Sequence, residues 1–265
     1  MFLYARKLEK GDGVDVNLKE SVRYYKMAAE KDHPTAMFNY ANMLSKGLGT
    51  EVNKEEATRY YKIAADRGHV RSMYNYGNRL NRGIGVKPDK IKATQYFKMA
   101  AERGHNSAMF NYGFKLNKGI GVAENKEESA HYYKMAADGG NVRAMYGYAI
   151  KLEKGYGVDP NEREAINYLK MAAENGHPKA GHYYTCLLNR FKRKGIVIPK
   201  PDSNPSHPIS DNEIRDYFQV IDEHFSNVLQ IINNPQFKLA FPYDDEIPDN
   251  LKLPDSNQDV ANSDE

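Results

Sequence analysis

The sequence predicts an all-α protein, a right-handed superhelical solenoid of 36-residue helical hairpins followed by a C-terminal amphipathic helix. Three observations predict it. A Gly-x-Gly loop recurs as KGDGV from Lys10, KGLGT from Lys46, RGIGV from Arg82, KGIGV from Lys118 and KGYGV from Lys154, 36 residues apart each time. An aromatic–alanine block keeps the same step: YYKMAA from Tyr24, YYKIAA from Tyr60, YFKMAA from Tyr96, YYKMAA from Tyr132 and YLKMAA from Tyr168. Each period also holds two stretches whose apolar residues fall at helical spacing.

The loop is the first element to settle. A Gly-x-Gly that opens a helix can cradle phosphate on free N–H groups. A phosphate loop has no reason to recur on a 36-residue period, and the Lys-Ser/Thr of a P-loop is absent. Gly47, Gly49, Gly83, Gly85, Gly119, Gly121, Gly155 and Gly157 are therefore read as structural turn glycines that supply positive φ. No cofactor and no small-molecule substrate is expected.

The second helix of each period starts at Asn17, Asn53, Asp89, Asn125 or Asn161, read as N-caps. Glu20, Glu56, Glu128 and Glu164 stand three residues on and complete capping boxes; Lys92 is the exception. Its buried stripe is, for example, Ala57, Tyr60, Tyr61, Ala64 and Ala65. It stops at Gly68, Gly104, Gly140 or Gly176, with Asp32 as the weakest stop. The first helix buries Ala36, Met37, Tyr40, Ala41 and Leu44, repeated as Ala108, Met109, Tyr112, Gly113 and Leu116. Small residues at 41, 77, 113 and 149 let the two helices approach closely. Neither helix can bury its stripe alone, so the hairpins must stack.

The assembled pattern is small-x-x-x-[LY]-[GA]-x-x-[LY]-x-x-G-x-G-V, then N/D-x-x-E-A-x-x-Y-[YF]-K-x-A-A-x-x-G-H. It resembles the Sel1-like repeat, one of the tetratricopeptide-type helical hairpin families, over roughly residues 1–190. The resemblance implies a non-catalytic scaffold or adaptor that holds partner proteins. Some secreted members staple each hairpin with a disulfide and are associated with β-lactam binding; this chain has one cysteine, Cys186, and lacks those staples. Met1 aligns with Met37, so the first helix lacks its opening turn. The alternative reading is a regulatory Sel1-repeat region of a larger multidomain signalling protein.

In such a solenoid the first helices line the concave side. Positions three and seven residues after the small residue pair Asn39 with Met43, Asn75 with Arg79, Asn111 with Lys115 and Gly147 with Lys151. Asn78 adds an amide near Asn75. This Asn and Lys/Arg ladder predicts a groove that binds a protein or an acidic or C-terminal peptide: amides hydrogen-bond the backbone, and cations pair with carboxylate. An aromatic at Phe2, Phe38, Tyr74, Phe110 and Tyr146 either packs between repeats, the favoured role, or offers a stacking platform. The weak net charge of +3 disfavours nucleic acid. His33, His69, His105 and His177 recur at hairpin junctions with Asn141 in the fourth copy, too far apart to share a metal, and no catalytic constellation survives.

The repeat region spans residues 1–194. A Pro-rich connector follows at 195–209, then a helix at 210–234 opened by Ser210 and Glu213. Its stripe is Ile214, Tyr217, Phe218, Ile221, Phe225, Val228, Leu229 and Ile232, which either caps the solenoid or docks a partner. Residues 235–265 hold eight acidic side chains against Lys238 and Lys252 and read as a disordered acidic tail. No run approaches a membrane span and no signal-peptide core is present, so an intracellular, cytoplasmic protein is expected.

Overall fold

The computed structural model describes residues 1–193, and these are helical with no strand among them. The Pro-rich connector expected at 195–209, the amphipathic helix at 210–234 and the acidic tail at 235–265 lie outside the described residues. Five hairpins follow one another: α1 (Phe2–Lys10) with α2 (Leu18–Glu30), α3 (Pro34–Lys46) with α4 (Lys54–Asp66), α5 (Val70–Arg82) with α6 (Lys90–Glu102), α7 (Asn106–Lys118) with α8 (Lys126–Asp138), and α9 (Val142–Lys154) with α10 (Glu162–Glu174). A final helix, α11 (Ala180–Arg193), packs on α10. Helix α1 has 9 residues where its counterparts α3, α5, α7 and α9 have 13.

Every second helix starts at the expected cap. Asn17, Asn53, Asp89, Asn125 and Asn161 each accept a hydrogen bond on the side chain from the backbone N–H three residues on, at 2.9–3.1 Å. The other half of the capping box differs. The cap's own backbone N–H donates to a leucine carbonyl of the preceding helix, as Asn53 does to Leu44 at 2.9 Å. Glu56, Glu128 and Glu164 instead accept from the Nδ2 of the cap residue. The loop returns the chain so closely to the first helix that a nearer acceptor wins. Lys92 at the box position therefore leaves the Asp89 cap intact.

The stops also fall where expected. Gly68, Gly104, Gly140 and Gly176 have φ between 83° and 88°, and Asp32 takes φ 64° as the non-glycine residue with positive φ among the described residues. Within each hairpin the two stripes close on a repeated tyrosine pair. Tyr40–Tyr60, Tyr76–Tyr96, Tyr112–Tyr132 and Tyr148–Tyr168 stand edge to face at 4.7–5.0 Å. Gly77 and Gly113 admit the rings of Phe97 and Tyr133, which a Cβ would meet at about 3 Å.

The two loop glycines do different work. Gly119 ends α7 in the left-handed region at φ 63°, and a Cβ there would meet only ordinary contacts. Gly121 is also left-handed, but its Cβ would meet the Lys90 carbonyl oxygen at 2.5 Å and the Ile91 Cα at 2.9 Å. It thus seats the loop on the first turn of the preceding repeat's second helix. Gly49, Gly85 and Gly157 sit equivalently on Leu18, Lys54 and Lys126. Thr58 and Thr94 add hydroxyl bonds to the loop carbonyls of Ile84 and Ile120 at 2.9 and 2.8 Å. Gly119→Ala should cost about 1–2 kcal/mol, the left-handed penalty alone. Gly121→Ala should cost that plus about 1–3 kcal/mol of overpacking, read as the difference in urea unfolding; equal losses would refute the seating role.

Candidate partner-binding face

Positions 39, 75 and 111 lie half-buried along the first helices, one turn from positions 43, 79, 115 and 151. The second set is not open to a groove as expected. Arg79 is 8% exposed, Lys115 6% and Lys151 5%. The reason is angular. Seven residues are two turns less about 20°, so these side chains point almost where the buried Ser72, Ala108 and Ala144 point, into the junction between repeats. Only their position near the edge lets a long polar side chain fit.

Each cation reaches back to the preceding first helix. Lys115 Nζ donates to Asn81 Oδ1 at 2.6 Å, and Lys151 Nζ to Asn117 Oδ1 at 2.8 Å. Arg79 donates to the Ser45 hydroxyl, to the Thr58 hydroxyl at 3.2 Å and to the Lys54 carbonyl at 3.3 Å. Arg79 also lies over the Tyr61 ring and Lys151 over the Tyr133 ring, at 5.0 and 5.3 Å. These acceptors are neutral. Burial, reinforced by Lys90, lowers the Lys115 pKa; burial with Lys126 brings that of Lys151 down to about 8. Sequence reasoning missed Ser45, Asn81 and Asn117, although their 36-residue step matches that of the cations.

The ladder amides divide into two sets. Asn39 and Asn75 face the hydroxyls of Tyr25 and Tyr61 from the preceding second helices. Asn78 and Asn111 make no hydrogen bond with the described residues. The position opposite Asn111 is Phe97, which has no hydroxyl to offer. The recurring aromatic takes its favoured role between repeats: Phe2, Tyr74 and Tyr146 stack on His33, His105 and His177 at 4.3–4.6 Å, and Phe38 lies 4.9 Å from His69. Those histidines cap the next first helix, with Nδ1 of His33, His69 and His105 accepting a backbone N–H at 3.3 Å. No group of three metal-ligating side chains occurs among the described residues, and none of their helices is long and apolar enough to cross a membrane.

Charge is sorted between the two kinds of helix. The five first helices carry twelve Lys/Arg and two carboxylates, Glu9 and Glu153. The five second helices carry thirteen Lys/Arg and twelve carboxylates. Many of the second-helix charges pair within a turn, as Lys62 does with Asp66 at 2.6 Å. On the first helices Arg71, Arg82 and Lys154 are exposed.

The Sel1 repeat matches this chain over residues 1–33, 34–69, 70–105, 106–141 and 142–177. The chain belongs to the Sel1 repeat family. Sel1 repeats are in general non-catalytic scaffolds for protein interaction. A Sel1 repeat protein from Oxalobacter formigenes is similar at 27% identity with a TM-score of 0.65, over 86% of this chain and 83% of its own. A protective antigen of uropathogenic Escherichia coli that displays the same fold is similar at 23% identity with a TM-score of 0.69, over 87% of this chain. This Sel1 repeat protein spans about half of that antigen, 47%. No curated protein sequence matches it significantly.

His69, His105 and His177 should make the array acid-sensitive. Burial lowers the pKa of His69 and His105, helped by Arg71, and brings His177 down to about 4 from 6.5 with Arg143 and Lys179 adding to it. Between these limits the folded chain binds fewer protons than the unfolded one, so stability is full above about 6.5 and falls as pH drops towards 4. A protonated ring also loses its capping lone pair and sets a cation at a helix N-terminus. Asparagine already fills the fourth junction as Asn141. The variant His69→Asn/His105→Asn should therefore lose less of its urea midpoint than wild type between pH 7 and 4.5; an equal loss refutes the assignment.

Proposed function

We propose that this Sel1 repeat protein is a scaffold whose first-helix face, the concave groove of the solenoid, takes an acidic segment of a partner protein. The observation that supports this reading is the sorting of charge: twelve cations against two carboxylates on the first helices, near balance on the second. A cleft lined by one sign of charge raises the local concentration of the opposite sign and steers its approach. Of the half-buried ladder amides, Asn78 and Asn111 are offered to an extended backbone, while Asn39 and Asn75 are already turned to the Tyr25 and Tyr61 hydroxyls. Arg79, Lys115 and Lys151 contribute field from beneath the surface, and the exposed Arg71, Arg82 and Lys154 supply direct ion pairs. No step of this role calls for catalysis or a cofactor.

The test is fluorescence anisotropy with a fluorescein-labelled ten-residue peptide of alternating Glu and Gly. Wild type should bind it, more weakly as salt rises, and ignore the Lys–Gly counterpart. Arg71→Glu/Arg82→Glu/Lys154→Glu should raise Kd about tenfold or more, since like charges facing each other cost well over 1 kcal/mol, with helical circular dichroism unchanged. Equal binding by the variant would sink the proposal.

A further inference from the structure

Strict periodicity makes the departures from it informative, and they converge on the fourth repeat. In the first four second helices the aromatic that reaches the first-helix face is Tyr25, Tyr61, Phe97 or Tyr133, and Leu169 stands there in the fifth. Tyr25 donates to Glu9 at 2.6 Å and faces Asn39. Tyr61 donates to Asn42 at 2.5 Å and faces Asn75. The residues equivalent to Asn42 and Asn75 for the fourth repeat are Phe114 and Gly147. Tyr133 has thus lost both partners. Its ring is held between Phe110, Gly113 and Gly147, with the Phe110 ring 5.4 Å away, and only 7% of the residue is exposed.

The Tyr133 hydroxyl makes no hydrogen bond with the described residues, yet none of their buried side-chain oxygens or nitrogens is left unsatisfied. The hydroxyl therefore keeps a narrow opening at the end of an otherwise enclosed ring. The charged groups of the described residues around it are cations: Lys151 lies over the ring at 5.3 Å, and Arg143 lies 4.9 Å from the Phe110 ring and acts on the phenol. No carboxylate of the described residues acts on the phenol, and burial keeps it protonated and so a donor. On α7, next to Phe110, stands Asn111, the ladder amide whose tyrosine partner is replaced by Phe97. Asn78 on α5 likewise makes no hydrogen bond with the described residues.

We infer that a bound acidic segment anchors at the fourth repeat, with one carboxylate accepting from the Tyr133 hydroxyl above Lys151 and the amides of Asn111 and Asn78 holding the backbone beside it. Elsewhere along the ladder the same groups satisfy one another, and a ligand would have to break an internal bond to use them. Here it breaks none. The cationic surroundings select a carboxylate over a neutral side chain. This anchor rests on the proposed reading of the first-helix face.

The same Glu–Gly peptide tests it. Tyr133→Phe removes one oxygen and copies Phe97, which the third repeat already accommodates, so the fold should persist by circular dichroism. It should raise Kd about ten- to a hundredfold, the range for a hydrogen bond to a charged group. Asn111→Ala should raise Kd about threefold, and Phe97→Tyr should do the same by supplying Asn111 with an internal partner. Asn39→Ala should leave Kd within twofold. If wild type binds the peptide but Tyr133→Phe and Asn111→Ala bind equally well, the anchor is wrong while the acidic-partner reading stands. If wild type fails to bind the peptide, or prefers ten-residue oligodeoxythymidylate, both fall.

Discussion

The seating of one backbone on another sets everything else in this array. At Gly49, Gly85, Gly121 and Gly157 the loop after a first helix rests on the opening turn of the preceding second helix, with no room for a Cβ. This contact couples each repeat to the one before it and sets the offset between them. Stability then accumulates through nearest-neighbour interfaces. The tyrosine pairs, the histidine stacks and the back-reaching cations all recur because that offset recurs.

The interfaces so formed are not purely apolar. Arg79, Lys115 and Lys151 enter them with neutral acceptors; burial lowers the pKa of both lysines, and this works against folding. Met43 and Leu187 stand at the equivalent positions with 1% and 2% exposure, so an apolar side chain suits the site. Glu153, at the position of the cations' acceptors, pairs instead with Arg190 at 2.9 Å once Leu187 replaces the cation. The charged version is confined to the middle junctions, beneath the proposed partner face. Its field there is what a uniform apolar junction would lack.

A repeat protein hides its function in its irregularities. Polar groups that satisfy each other in register, such as Asn75 with Tyr61, stabilise the array and are used up in doing so. Replacing one member leaves the other unpaired, and the chain does this at two successive junctions, at Phe97 and at Gly147. The junction histidines make the opposite point: Asn141 departs from the pattern but keeps the cap, accepting from Ala144 at 3.0 Å.

Most of the fold was legible in the sequence, because helix caps, stops and stripes are local. Asn53 needed only its own neighbours to be read as a cap, and Asp32 only its place after Ala29 to be read as a stop. The capping boxes were half right, since the closeness of the loop to the preceding helix is a tertiary matter. The ladder was legible as a set of residues but not as a surface. Whether position 79 faces a groove or a junction depends on the offset between hairpins, which no single helix encodes. The pairing of Asn75 with Tyr61, and the release of Asn111 and Tyr133, likewise require two repeats to be in place. The sequence by itself determined the hairpins and their period, through short-range hydrogen bonding and backbone strain; only the tertiary structure decided which polar side chains the stacking consumes and which it leaves for a partner.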